Sequence, residues 1–104
     1  MKLIEIWINC PDRETAQKIS DALIASRRVA CSNIFPDIQS SYRWKGNIEN
    51  EPEVPLAVKT REENFPAVVA DVQRIHPYET PSIIGVPVEF VNEDYLTYYS
   101  YFSH

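Results

Sequence analysis

Glycine is scarce in this chain, which has two glycines among its 104 residues. A phosphate-cradling loop and a dinucleotide-binding fingerprint each need several glycines at fixed spacing, so neither kind of site is expected. The Gly-x-Ser-x-Gly string that places a nucleophilic serine on a sharp turn is missing as well. Because no recognisable catalytic constellation remains, we expect a binding protein and not an enzyme.

Clustered basic residues and long apolar runs are also missing. The formal net charge is -5 and the ten Lys and Arg residues are scattered, so no surface is marked for nucleic-acid phosphates. No segment reaches the roughly 20 consecutive apolar residues of a membrane span. The N-terminus lacks the basic region and the cleavage site of a signal peptide. We therefore expect neither nucleic acid nor a membrane as a partner, and a cytoplasmic location.

What is present is enough for one packed core. Apolar residues form 44% of the chain, which is typical of a folded protein. A chain of this length usually forms one domain, and we expect residues 1–104 to do so. The two cysteines, Cys10 and Cys31, are expected to be reduced thiols, since disulfides are rare in the cytosol.

Hydrophobic periodicity predicts the order β-α-β-β-α-β and a short C-terminal helix. Strands are predicted where apolar residues alternate or β-branched residues dominate, at 2–9, 29–44, 54–60 and 82–90. Helices are predicted where apolar residues recur at helical spacing, from 12 to about 28, from 64 to 76 and from 94 to 102. We expect a kink or bulge at Pro36, a hairpin closed near Gly46, and residues 47–53 as its exposed polar tip.

Two βαβ crossovers around a hairpin predict an α+β, ferredoxin-like sandwich with a four-stranded antiparallel sheet and both larger helices on one face. The other face is expected to lack a cover within the chain. Trp7, Cys31 and Tyr42 or Arg43 are expected there, where the tyrosine-rich tail 95–102 can pack in its own or another subunit. Exposed apolar surface of this kind usually marks an interface, so we expect an oligomer.

The loop from His76 through Pro77 and Tyr78 to Glu79 displays an imidazole and a carboxylate three residues apart. With the thiol of Cys31 nearby, these groups suit copper or zinc, because sulfur and imidazole favour such metals. One His and one Glu form no fixed metal signature, so a structural alternative stays open for each. In that alternative His76 caps a helix, Glu79 is solvated or paired with a lysine, and Cys31 packs in the core. A nucleophilic pair of Cys31 and His76 is conceivable, although nothing in the sequence orients it.

Aromatic and charged residues also mark the predicted hairpin. Tyr42, Trp44 and Lys59 fall near its middle, where the rings either line a pocket beside a lysine or stack as cross-strand pairs. The acidic residues of the predicted tip are interpreted as a solvated charge run and not as a catalytic dyad: Glu49, Glu51 and Glu53.

Four segments share an order and spacing that extend over nearly the whole chain: Val29–Pro36, Ser41–Gly46, Val58–Thr60 and His76–Glu79. Together they resemble the CutA divalent-cation tolerance family. The resemblance implies a ferredoxin-like protomer in a tight homotrimer, in which strands of neighbouring subunits pair edge to edge, as in PII-type signalling proteins. It also implies a link to tolerance of copper and other divalent cations.

The resemblance further implies a cleft between subunits, lined by residues at the motif positions. Those expected to bind metal are His76, Glu79 and Cys31, and those expected to line the cleft are Asn33, Tyr42, Trp44, Lys59 and Tyr78. The expected ion is copper or another divalent cation, and no organic cofactor is expected. Arg43 departs from the family pattern, in which an aromatic residue is frequent at this position.

Three functions stay open at this point. The first is a trimeric metal-responsive protein that binds divalent cations weakly or transiently. The second is a PII-like module whose cleft accepts a small organic ligand, with Lys59 supplying charge and Trp44 stacking. The third is a structural adaptor, in which a stable trimer serves chiefly to hold other proteins.

Overall fold

A computed structural model of the chain describes residues 1–102. Its elements confirm the predicted order of strands and helices, with one strand more than expected. They are β1 (Leu3–Cys10), α1 (Arg13–Ala25), β2 (Cys31–Ile34), β3 (Ile38–Trp44), β4 (Asn47–Arg61), a 3-10 turn (Glu62–Asn64), α2 (Phe65–Ile75), β5 (Ile83–Pro87) and α3 (Glu93–Phe102).

The main sheet is antiparallel, with spatial order β2-β4-β1-β5. Strand β1 is central because its alternating isoleucines, Ile4, Ile6 and Ile8, are buried against the helices. Burial of each such side chain contributes about 1.5–3 kcal/mol. Helices α1 and α2 pack on this face through Ile19, Leu23, Val68 and Val72. The predicted ferredoxin-like fold, with four strands in the main sheet and both larger helices on one face, is confirmed.

The predicted second strand, 29–44, is divided at the expected bulge. Residues Phe35–Asp37 lie opposite only Val54 and Pro55 of β4, so the register shifts by one residue between β2 and β3. Pro36 at the centre of the bulge has no amide hydrogen to give to a ladder. Strand β3 consequently leaves the main sheet and pairs with the first half of β4 as an antiparallel ribbon.

Residues 47–53 are paired in β4, so the prediction that they form the tip of the hairpin is wrong, although Asn47, Ile48, Asn50 and Pro52 are exposed as predicted. The hairpin closes through Lys45 and Gly46, whose φ angles of 49° and 83° are the positive values that a type I′ turn needs. Such a turn has two loop residues, and pairing starts at once with Trp44 opposite Asn47. Polarity misled the prediction because both faces of a protruding ribbon can meet water.

Helix α1 ends at Ala25, before the predicted end near Arg28. The amide of Arg28 donates to the carbonyl of Leu23, and the amide of Arg27 donates to that of Ile24. These are the paired bonds of a Schellman motif, in which one residue takes the left-handed conformation. Arg27 takes it, with φ of 62°, and the chain turns away from the helix there.

Helix α3 lies on the sheet face opposite α1 and α2, so the expectation that this face lacks a cover within the chain is wrong for part of it. The hydroxyl of Ser32 in β2 meets Ser20 of α1, which places the next side chain, Cys31, on the opposite face. There the Cys31 thiol lies 3.0 Å from the hydroxyl of Tyr95 in α3. The tail therefore packs on the sheet of its own chain.

A second tyrosine fastens α3 to the sheet. Tyr99 is fully buried, and its hydroxyl donates to the backbone carbonyl of Lys59 at 2.7 Å. The predicted aromatic tail also included Tyr101 and Phe102, whose side chains lie outside the described part of the chain. The predicted tail helix is confirmed, and its own sheet supplies the contact surface.

The far side of the same face stays open at strand β5. This strand ends at Pro87 and not at residue 90 as predicted, although the amide of Val88 still donates to the carbonyl of Leu3 at 3.0 Å. Ile84 lies opposite Trp7 on this face, and the side chains of Ile84 and Val86 are 57% and 45% exposed. Exposed apolar residues on a strand at the edge of a sheet are typical of an interface.

Asp71 of α2 connects the chain at the end of α1 to the last turn of α2. Its carboxylate accepts hydrogen bonds from Arg28 at 2.9 Å and from Arg74. Burial by itself raises the pKa of Asp71, but the hydrogen bonds and charges of the two guanidinium groups outweigh it and hold that pKa below the ordinary value. The carbonyl of Arg28 in turn accepts a bond of 2.6 Å from Thr60 of β4, so this ion pair connects both helices to the sheet.

We expect Asp71→Asn to lower the free energy of unfolding by about 1.5–3 kcal/mol near neutral pH, the size of hydrogen bonds to a charged group. A carboxyl group with a lowered folded-state pKa stabilises the protein above its unfolded pKa, about 3.9, and this contribution is lost as the pH falls through the folded pKa. The deficit of the variant should therefore shrink progressively below about pH 4. Urea denaturation at several pH values measures it, with the exposed Asp37→Asn as the charge control. A deficit independent of pH would contradict the prediction.

Candidate functional site

A groove of about 780 Å³ lies between the β3–β4 ribbon and the loop of residues 76–82. We call it the ribbon groove. Its lining includes three aromatic rings, those of Tyr42, Trp44 and Tyr78, and four carboxylates, those of Glu49, Glu51, Glu53 and Glu79. The volume falls in the range of small-molecule sites, which is about 300–1,000 Å³.

Four of the eight predicted site residues line the ribbon groove: Tyr42, Trp44, Tyr78 and Glu79. Two of them come from the ribbon because alternate residues of β3 share one side of the strand. The other two come from the loop after α2. The carboxylate of Glu79 is exposed and lies 3.7 Å from the ammonium nitrogen of Lys45 at the ribbon turn, which ties loop and ribbon together across the groove.

Glu53 is the residue that the sequence interpretation missed. It was assigned to a solvated tip, yet it is 6% exposed, and its Oε2 accepts a bond of 3.0 Å from the hydroxyl of Tyr78. Burial, followed by this hydrogen bond and the Glu53 charge, raises the pKa of Tyr78. Burial also raises the pKa of the Cys10 thiol to about 12, with smaller contributions from the charges of Asp12 and Glu53. In the sequence, the signal that Glu53 could be buried was its position directly before the apolar run 54–58.

His76 holds the loop from behind the groove. It is buried, its Nε2 lies 2.8 Å from the carbonyl of Asn9, and its Nδ1 accepts the amide of Tyr78 at 3.2 Å. A neutral ring with its hydrogen on Nε2 satisfies both contacts. Either ring nitrogen must release a hydrogen bond before it can coordinate a metal ion. In this chain His76 also caps α2, since its amide donates to the carbonyl of Val72.

The other predicted residues, Cys31, Asn33 and Lys59, form a separate cluster on the sheet face that α3 covers in part. Lys59 lies 3.8 Å from Glu5 and 3.5 Å from the side-chain oxygen of Asn33. Cys31 sits opposite Lys59 in the ladder, and it contacts Tyr95 as described above. Lys59 therefore pairs with a carboxylate of β1, and it does not line the ribbon groove beside Trp44.

One chain does not bring the two sets together. His76 contacts Asn9 of β1, whereas Cys31 of β2 lies in the same ladder row as Glu5 of β1. The row of Glu5 is four residues from Asn9 along β1, which is an offset of about 13 Å. Among residues 1–102, no three His, Cys, Asp or Glu side chains are placed to hold a metal ion. The donor set of residues 1–102 in a single chain therefore does not fit a complete metal site. The assignment of His76, Glu79 and Cys31 as ligands stays a prediction that requires more than one chain.

Comparison with known proteins gives consistent matches. Residues 4–101 match the family profile described as CutA1 divalent ion tolerance protein. Protein CutA of Mus musculus is 40% identical over 90 residues, covering 86% of this chain and 51% of the mouse protein. The chain thus spans about half the length of this relative. The divalent-cation tolerance protein CutA of Thermus thermophilus is 38% identical over 91 residues, covering 88% of each chain.

A solved structure adds the fold and a note on location. The CutA protein of Archaeoglobus fulgidus, described as a periplasmic divalent cation tolerance protein, superposes with a TM-score of 0.92 at 35% identity, covering 95% of this chain and 96% of that one. Since that protein is periplasmic, the cytoplasmic location of this chain stays a prediction. No helix within residues 1–102 has the length and hydrophobicity of a transmembrane span.

The buried pair of Tyr78 and Glu53 makes a prediction about stability. Tyr78→Phe removes the donor to a buried carboxylate and should lower the free energy of unfolding by about 1–2 kcal/mol. Tyr42→Phe is the matched control, because Tyr42 donates a similar bond of 3.0 Å to Glu51 in an exposed position. That variant should change stability by less than about 0.5 kcal/mol. Urea denaturation measures both, and equal effects would contradict the assigned burial of Glu53.

Proposed function

This chain belongs to the CutA1 divalent ion tolerance family, and from that membership we propose that it acts as a homotrimer that binds divalent cations, copper among them, at a cleft between subunits. The observation that supports the proposal best is the concentration of four carboxylates in the ribbon groove. A concave surface lined by charge of one sign raises the local concentration of the opposite ion. The proposed role is binding and not catalysis.

The open strand edges support the proposed homotrimer. Among the described residues, β5 is paired on one side, with β1, and β3 is paired on one side, with β4. Strands β3 and β5 carry exposed apolar side chains, namely Ile38 and Ile84, and Ile48 on the ribbon is 66% exposed. Unpaired edges with apolar side chains are templates for pairing with another chain. A second and third copy would supply the missing neighbours.

Association also supplies the missing metal ligands in this proposal. Glu79 faces solvent at the mouth of the groove, and the thiol of Cys31 is partly exposed on a different part of the surface. Contact between subunits would bring the Cys31 of one chain to the 76–82 loop of the next. His76 joins such a site only by giving up a hydrogen bond to Asn9 or Tyr78, so weak and transient binding is expected.

A PII-like module that binds a small organic ligand is the second candidate, and the ribbon groove is the observation that favours it. The predicted partnership of Lys59 and Trp44 does not contribute, since Lys59 lies in the other cluster. A structural adaptor is the third candidate, and it stays a prediction.

Titration with copper(II) by calorimetry tests the metal proposal. Glu79→Gln should weaken binding about five- to tenfold, because it removes an exposed ligand without disturbing the core, and His76→Ala should weaken it too. Glu63→Gln is the control, since it removes the same charge from an exposed position outside the groove. Wild type and all three variants binding alike would contradict the assignment.

Sedimentation equilibrium tests the assembly. We expect the mass of a trimer at micromolar concentration. A stable, folded monomer would remove the shared cleft, and with it the proposed metal site.

A further inference from the structure

The ribbon groove contains a largely buried carboxylate, that of Glu53, and no cation of residues 1–102 is paired with it. Glu53 is 6% exposed, and within residues 1–102 its carboxylate is in no ion pair. Its Oε2 accepts the Tyr78 hydroxyl, and its Oε1 receives no hydrogen bond from the described residues. A buried carboxylate is costly unless a cation or several donors compensate it. The groove that Glu53 lines is the place from which a cation can approach.

The other carboxylates are arranged in a row and do not converge on one point. Glu49, Glu51 and Glu53 are alternate residues of β4, so they lie on one side of the strand, about 6.8 Å apart from one to the next. Ca²⁺ and Mg²⁺ need about six or more oxygen ligands within roughly 2.6 Å of a single centre. The row does not offer that geometry. It suits a ligand whose positive charges are themselves spaced along a chain.

Aromatic rings face the same space. Tyr42, Trp44 and Tyr78 line the groove, and ring faces attract ammonium groups by cation–π interaction while they pack against methylene groups. The chain itself provides an example at the outer end of the groove. The ammonium nitrogen of Lys45 lies 5.4 Å from the centre of the Trp44 ring and 3.7 Å from the carboxylate of Glu79.

We propose that the ribbon groove binds a linear aliphatic polyamine, with one ammonium group at Glu53, a second at Glu51 or Glu49, and the methylene chain along the aromatic rings. This goes beyond the proposed metal function and does not depend on it. The acidic groove also excludes the anionic metabolites that a lysine-lined cleft would select, because the four carboxylates repel them.

Calorimetric titration of the oligomeric protein with spermidine tests the proposal. We expect saturable binding to wild type, and Glu53→Gln should weaken it at least tenfold, because the buried charge then has no pair to form. Lys45→Asn should strengthen binding about twofold to fivefold, since it removes the competing ammonium group. Asparagine accepts the positive φ of that position, so the turn is kept. Glu63→Gln, outside the groove, should bind as wild type does.

The outcomes separate this proposal from the metal site. Glu53→Gln reports on the polyamine, whereas His76→Ala, whose ring lies behind the groove, reports on copper, so either proposal can fail alone. Equal spermidine affinity in wild type, Glu53→Gln and Lys45→Asn would overturn the polyamine site. No binding by the wild-type oligomer would overturn it too, and would indicate that a basic side chain of a second copy fills the groove. Displacement of spermidine by equimolar Mg²⁺ would also overturn it, as the site would then be a general cation site.

Discussion

The backbone pairing of strand β4 is the constraint on which the rest of the structure depends. Its second half pairs with β1 on one side and with β2 on the other, and its first half pairs with β3 after the bulge at Pro36. The same strand thus supplies core residues such as Leu56 and Val58, and then the carboxylates of the ribbon. Because the strand is continuous, the rigid sheet sets the direction in which the ribbon protrudes.

The loop after α2 forms the second wall of the ribbon groove, opposite the β3–β4 ribbon. His76 binds the end of β1 through Asn9, and Tyr78 binds β4 through Glu53. Both contacts are partly buried, where hydrogen bonds compete less with water than they do at the surface. The ribbon groove is therefore enclosed by elements that are attached to the core at two independent points, which favours a preformed binding site.

The candidate functional residues form two clusters at different places in the chain. One cluster lies in the groove and is acidic and aromatic, while the other lies on the sheet face that α3 covers in part and contains Cys31, Asn33 and Lys59. Membership of the CutA1 family connects the chain with divalent-cation tolerance. Within residues 1–102, however, the carboxylates of Glu49, Glu51 and Glu53 form a row along β4, and the thiol and the imidazole are apart. The proposed metal site therefore requires association of chains, whereas the proposed polyamine site requires only the ribbon groove of one chain.

Sequence by itself determined the order of the elements, the buried face of β1 and the bulge at Pro36, because each depends on residues close together along the chain. It also predicted Tyr42, Trp44, Tyr78 and Glu79, which line the ribbon groove, while their role in binding stays a prediction. Only the tertiary structure decided that Glu53 is buried and that the remaining predicted residues separate into two places. Burial of a polar side chain depends on which distant segment covers it, and here that segment is a loop some 25 positions away along the chain. Local periodicity carries no information about such a contact, since it is made only after the sheet has formed.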